Sequence, residues 1–223
     1  MTHAVLRGWS EEAKPFRTAE LFAFLALTTI ALAWYNSEAV MTRDVFHSVL
    51  GGQLEAARVD AQYDLVRRWS AVGYAVTPAL LGVQVAFVAL LMQLGLLLTG
   101  ADTSFIALFR LVICARIPLL LAAGGRSLWL AQLPATSITK ASLFAVPGSL
   151  AWVTLAQSQA ETPLYALMNS FNAAELAWCV IVTLGLVRVA RIAPRRAALF
   201  TGAVWIAMEL FSFAGRVVIT NGL

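Results

Sequence analysis

Histidine and cysteine are nearly missing from this 223-residue chain, and each shortage removes a class of chemistry. The two histidines, His3 and His47, lie far apart and outside the apolar runs, so neither a paired-histidine metal site nor a histidine-based hydrolytic triad is supported. The two cysteines, Cys114 and Cys179, sit within apolar runs, which points to small buried hydrophobes rather than a disulfide or metal site. No glycine-rich phosphate loop and no GxSxG elbow occurs. No catalytic, cofactor-binding or metal residue is therefore nominated, and a conventional enzyme is not expected. Charge is scarce too, at 13% of residues against 60% apolar. The net charge of +4 does not point to nucleic acid, because the basic residues fall between apolar runs instead of along one face.

What the chain has in abundance is uncharged length. Its composition predicts an all-α, polytopic transmembrane helical bundle, since each lipid-crossing helix needs about 20 apolar residues. Residues 1–18 form a short amphipathic segment with Arg7, Lys14 and Arg17, and 19–223 a single membrane domain. The first span is expected at 19–35; Ala31-Leu32-Ala33 resembles a signal cleavage site, but an uncleaved anchor is the reading adopted. Thr77-Pro78 supplies a cap and a first-turn proline for a second span at 77–99, ended by Gly100. The turn at 100–102 forces an antiparallel hairpin into a third span, 104–123, with Asp102 or Thr103 as its cap and Gly124-Gly125 as its end. Spans at 164–187 and 197–219 flank a basic turn with Arg188, Arg191, Arg195 and Arg196.

Two segments do not fit a simple count. Residues 37–70 are polar but periodic: Met41, Val45 and Val49 recur every four residues, and Leu54, Ala61, Leu65 and Trp69 continue a helical stripe after Gly51-Gly52. We read an amphipathic arm of two interfacial helices, flanked by Trp34, Tyr35, Trp69 and Tyr74; a solvated hairpin or partner-docking arm is the alternative. Residues 138–157 have an uncharged core too short for a full span and carry Pro147-Gly148 midway, so they are either re-entrant or an additional span.

The proline-opened run TPALLGVQVAFVALLMQLGLLLTG (77–100), the short turn into SFIALFRLVICARIPLLL (104–121), Trp178 with Gly185 seven residues on, and the alanine-rich last span resemble the Yip-domain family of Ypt/Rab-interacting polytopic membrane proteins. The resemblance implies five membrane helices with the N-terminus cytoplasmic, no cofactor and no catalytic motif. It also implies binding of partner proteins, among them small GTPases in eukaryotic relatives, and a role in trafficking or membrane shape. Basic residues divide evenly for five spans with the N-terminus inside, and favour the inside for six spans with the N-terminus outside. With the resemblance, five spans are adopted and six kept as the alternative.

The remaining chemistry is intramembrane charge. Each charged side chain at mid-bilayer costs about 2.5–3.5 kcal/mol on insertion scales, so Arg116, Glu175 and Glu209 require partners or a wet cavity. Glu175 and Glu209 stand equally far from Ile192 in the basic turn, which places them at one depth in an antiparallel hairpin, about 20 Å from its edge. With five spans Arg116 lies level with both; with six, Arg110 does. Arg110 itself reads as a snorkelling anchor, because its side chain leans toward the near end of its helix. The expectation is a non-catalytic scaffold or accessory subunit in a bacterial inner membrane. Its expected partners are the lipid bilayer and another membrane or peripheral protein, with homo-oligomers also allowed and nucleic acid excluded. The alternative is a transporter, or transporter subunit, built on the Arg116, Glu175 and Glu209 cluster.

Overall fold

The 43 residues Ala56–Leu98 form one unbroken helix, and its length organises everything around it. The computed structural model describes residues 15–139, 142–143, 145–146, 148–151 and 163–221. Among these the chain is helical with no strand: α1 (Pro15–Tyr35) closing in a π turn (Asn36–Val40), α2 (Arg43–Leu50), α3 (Ala56–Leu98) and α4 (Phe105–Ala131). A 3₁₀ turn (Ala135–Ser137), α5 (Pro163–Ser170), α6 (Ala173–Val189) and α7 (Pro194–Asn221) follow. The segment 1–14 lies outside the described residues.

Among the described residues three helices are long and apolar enough to cross a membrane: residues Thr18–Val40, Ala56–Leu98 and Phe105–Ala131. This is fewer than the five expected, and the reasons are local. The span expected at 164–187 is interrupted at Phe171 and Asn172, which leaves α6 with 17 residues, about 25 Å. In α7 the stretch 194–211 carries Arg195, Arg196 and Glu209.

Helix boundaries shift elsewhere. Pro78 does not open a helix; it lies within α3, where it offers no N–H to the Tyr74 carbonyl, and beside it Thr77 Oγ1 donates to Gly73 O (2.8 Å). The second interfacial helix of the arm is therefore the first part of α3 itself. Helix α4 runs through Gly124-Gly125 to Ala131, since glycine weakens a packed helix without ending it. Its cap is Ser104, whose Oγ accepts from Ala107 N at 3.3 Å, not Asp102 or Thr103. Gly100 does end α3 as expected: its φ of 75° lets Gly100 N and Ala101 N reach back to Leu97 O and Leu96 O.

The arm folds into a headpiece on the end of the bundle. Thr42 caps α2, and Phe46 packs edge-on against Tyr63 at 5.4 Å with Val45 and Val59 buried between the two helices. Arg43 bridges Asp64 (3.0 Å) and Asp60 (3.6 Å), His47 meets Asp60 (3.1 Å), and Arg67 meets Glu38 (2.6 Å). The stripe of Leu65 with Trp69 faces outward, because Val59 and Tyr63 occupy the side toward α2.

Cross-contacts give the helix directions. Phe22 of α1 packs on Phe109 of α4 (6.3 Å) and faces Gly82 of α3. Phe200 of α7 covers Gly95, and Phe211 lies against Phe87 at 6.4 Å. Leu111 of α4 fills the space over Gly185 of α6. Helices α1 and α4 are thus parallel, α3 and α6 antiparallel to both, and α7 antiparallel to α3. The Gly100 turn and the basic turn lie at one end of the bundle, and the headpiece at the other. The core between them holds Val85, Met92, Leu108, Val112, Trp178 and Val182.

A side chain at Gly185 would collide with Leu111, whereas Gly125 faces open space. Gly185→Ala is expected to destabilise the protein by about 1–3 kcal/mol through overpacking, and Gly125→Ala to stabilise it by about 0.5–1 kcal/mol. Thermal unfolding of both variants in one detergent checks the opposite signs.

Candidate functional site

The polar centre of the molecule is built on the interruption between α5 and α6. The sequence there is Asn169-Ser170-Phe171-Asn172, and asparagine and serine side chains compete for the backbone hydrogen bonds that would continue a helix. Asn172 turns extended (φ −133°, ψ 164°) and caps α6, its Oδ1 accepting from Ala174 N and Glu175 N at 3.0 Å each. Its Nδ2 donates to Asn169 O at 2.9 Å, so one residue closes both sides of the gap.

A second strand of chain satisfies the rest. Leu150 N donates to Phe171 O (2.9 Å), Ser149 Oγ donates to Asn169 Oδ1 (2.7 Å), and Val146 N donates to the same oxygen (3.4 Å). Ser149 and Asn169 are both buried, where unmatched polar atoms are costly. These residues belong to the piece 138–157, expected as re-entrant or as an extra span. Its described residues are not one continuous helix, and Gly148 turns at φ 75°; the remainder of that piece lies outside the described residues. Ser48 of the headpiece donates to Ile138 O at 2.5 Å and ties the segment down from the other side.

Both glutamates reach this interruption. Glu175 is the third residue of α6, where the helix dipole favours a carboxylate, and Trp205 Nε1 of α7 donates to its Oε2 at 3.3 Å. Glu209, one turn beyond Trp205, accepts from Ser170 Oγ, and the Trp205 ring stands edge-on to Phe171 at 5.2 Å. Arg116 of α4 lies within electrostatic reach of Glu175, and Glu175 within reach of Glu209. Among the described residues Arg116 makes no hydrogen bond or ion pair with either carboxylate. The three residues therefore form a charged neighbourhood held by neutral donors, with the arginine as a counter-charge standing off from the pair. Such an arrangement can carry negative charge, take up a proton or pass a cation, provided water or a partner group reaches it.

Arg110 is not part of it. Its Nε donates to Thr18 Oγ1, so it fastens α4 to the start of α1 near the bundle end that holds the Gly100 turn. The side chain read as a snorkelling anchor is thus engaged by protein. Cys114 and Cys179 are free thiols, half-buried on α4 and α6.

Sequence reading had not nominated Asn169, Ser170, Asn172, Ser149 or Trp205. A signal was available for one of them: Asn172 with Glu175 three residues later is a helix-start pattern lying inside an apolar run. Compared with known protein families, curated proteins and solved structures, the chain matches none.

Asn172→Ala removes the cap of α6 and is expected to cost about 1 kcal/mol. Asn169→Leu removes the acceptor shared by the buried Ser149 hydroxyl and Val146 N and is expected to cost about 1–3 kcal/mol. Thermal unfolding in detergent ranks the two; equal, near-zero shifts would mean that the interruption is not held as described.

Proposed function

We propose that this chain is a five-span integral membrane protein that works without catalysis of its own, as a scaffold or accessory subunit for a partner protein. The spans are α1, α3, α4, α5 with α6, and α7, and the proposed setting is a bacterial inner membrane. The Yip-domain resemblance enters as part of this proposal. It rests on the Gly100 turn, Ser104-Phe105 and the Trp178 and Gly185 pair, because Pro78 lies inside α3 rather than opening it.

The observation that carries the reading is the headpiece. Its α2 and the first turns of α3 are fixed to each other by ion pairs of Arg43 with Asp60 and Asp64 and a hydrogen bond between His47 and Asp60, while Arg67 ties α3 to Glu38 in the π turn. Each exposed pair adds little stability alone, but a shared network holds one shape. What it presents outward includes charge: Glu55, Arg58 and Arg68 are exposed beside Leu65 and Trp69. A platform held in one shape, standing past the apolar length of the bundle, suits a docking role. The shared end of the Gly100 turn and the basic turn supports five spans over six.

A second reading, ion or solute passage, is favoured by the interrupted helix. Discontinuous helices with charged groups near mid-membrane are the recurrent architecture of transport sites.

Reporter fusions at the two termini are expected to lie on opposite sides of the membrane, as an odd number of spans requires; the same side for both would sink the five-span topology. Arg58→Glu with Arg68→Glu is expected to release a co-purifying protein without lowering the unfolding temperature. Retention of that protein, or absence of any in mild detergent, counts against the scaffold. Passage is separated by vesicles: a proton or cation flux in the wild type, abolished in Glu175→Gln with Glu209→Gln, would replace the scaffold reading by the transport one.

A further inference from the structure

The arginines of this protein fall into two groups with different neighbours. In the headpiece, Arg43 and Arg67 are matched by carboxylates of the same chain, Asp60, Asp64 and Glu38. In the basic turn at the other end of the bundle, Arg188, Arg191, Arg195 and Arg196 are all exposed, and among the described residues none of them forms an ion pair. Glu20 and Asp102, acids described at that end, are exposed and form none either. Four cations set between positions 188 and 196 therefore have no counter-charge within the described chain.

Setting the orientation of the chain in a membrane accounts for basic charge in this turn, but not for where the charge is placed. Arg191 is the one non-glycine residue described with a positive φ, 54°, a conformation that costs glycine nothing and an arginine something. Arg195 and Arg196 stand in the first turn of α7, the end of a helix where the dipole disfavours cations. Charge held where the fold alone would do better without it points to use by a ligand.

What lies below the arginines selects that ligand. Along α6 the exposed side chains of Leu176, Val180 and Leu184 lead in steps of four to Arg188, and Arg191 follows three residues on. The face of α6 that carries Trp178, Val182 and Leu186 is buried. On α7 the exposed Leu210, Ile206 and Leu199 lead in the same way to Arg195 and Arg196. Steps of three and four keep each row on one side of its helix. Both outward rows are thus apolar along their length and cationic at the end they share, where only residues 190–193 separate the helices. A free phosphate or an acidic protein answers the cations and leaves the rows uncovered. A phospholipid with a net negative headgroup answers both: its chains lie along the apolar rows, and its phosphate meets guanidinium groups suited to paired hydrogen bonds. A zwitterionic headgroup brings its own cation and matches the arginines less well.

We infer that the basic turn is a binding site for anionic phospholipid headgroups, carried by Arg188, Arg191, Arg195 and Arg196. The site rests on the membrane reading above, and it holds for the scaffold and for the transport reading alike.

The test uses the full chain in a neutral detergent, titrated with phosphatidylglycerol, phosphatidylcholine or inorganic phosphate. Bound lipid is counted by native mass spectrometry, and folding is followed by thermal unfolding. Phosphatidylglycerol is expected to bind about tenfold or more tightly than phosphatidylcholine, to raise the unfolding temperature, and to lose affinity as salt is raised. Arg195→Gln with Arg196→Gln is expected to weaken that binding roughly 25-fold, about fivefold for each arginine removed. Arg58→Gln with Arg68→Gln takes the same charge from the headpiece and is expected to leave it unchanged. Arg191→Gly tells a ligand site from a merely structural turn: phosphatidylglycerol affinity is expected to fall about fivefold, while the unfolding temperature without lipid does not fall. Equal binding of the two lipids, an equal effect of inorganic phosphate, or full affinity in Arg195→Gln with Arg196→Gln overturns the proposal. The same loss in the Arg58 and Arg68 variant also overturns it. If the Arg195 and Arg196 variant does not fold, Arg191→Gly decides alone. Recovery of the chain outside the membrane fraction would remove the membrane reading first, which separates the two failures.

Discussion

The close contact between α4 and α6, made where Leu111 lies over Gly185, is the constraint on which the rest of the arrangement depends. With no side chain on Gly185, the two backbones approach closely enough for Leu108, Val112, Val182 and Leu186 to interlock as one core. The contact also sets a register. Because the helices are antiparallel from that point, the turns that hold Arg116 and Glu175 come to neighbouring levels. The electrostatic neighbourhood of the candidate site is thus a consequence of packing at a glycine some ten residues away on α6.

The interruption between α5 and α6 is the second organising feature, and it shows what buried backbone demands. Ending a helix inside an apolar structure exposes amides and carbonyls that lipid cannot satisfy. Here Asn172, Asn169, Ser149 and Leu150 supply the missing partners at 2.7–3.0 Å. The same interruption moves Glu175 from mid-helix to a helix start, where backbone N–H groups and Trp205 face it. Polar chemistry and chain geometry are therefore one problem at this site, solved by one short run of asparagine and serine.

Much of the architecture was legible beforehand for physical reasons. Uncharged runs announce helices that can lie in hydrocarbon, and Gly100 announces the end of one, because only a residue tolerant of positive φ closes that turn. The depth argument for Arg116 and the two glutamates needed only the rise of a helix and the positions of two turns. What misled was punctuation. Pro78 and Gly124-Gly125 read as boundaries, yet both lie within helices because packing along α3 and α4 outweighs a local cost of about 1–3 kcal/mol. The outward face of Leu65 and Trp69 was equally hidden, since periodicity identifies an apolar stripe but not which stripe a neighbour covers.

By itself, then, the sequence determined a helical chain suited to a membrane, poor in histidine and cysteine, with only a few of its charges, Arg110, Arg116, Glu175 and Glu209 among them, inside apolar runs. Only the tertiary structure decided that Arg110 fastens to Thr18 while Arg116 lies within electrostatic reach of Glu175, that the two glutamates both reach an interrupted helix, and that α3 carries one face inward and one outward for its whole length. The reason is that composition and period act along the chain, whereas these outcomes depend on which helix ends share a side and how closely two backbones can approach.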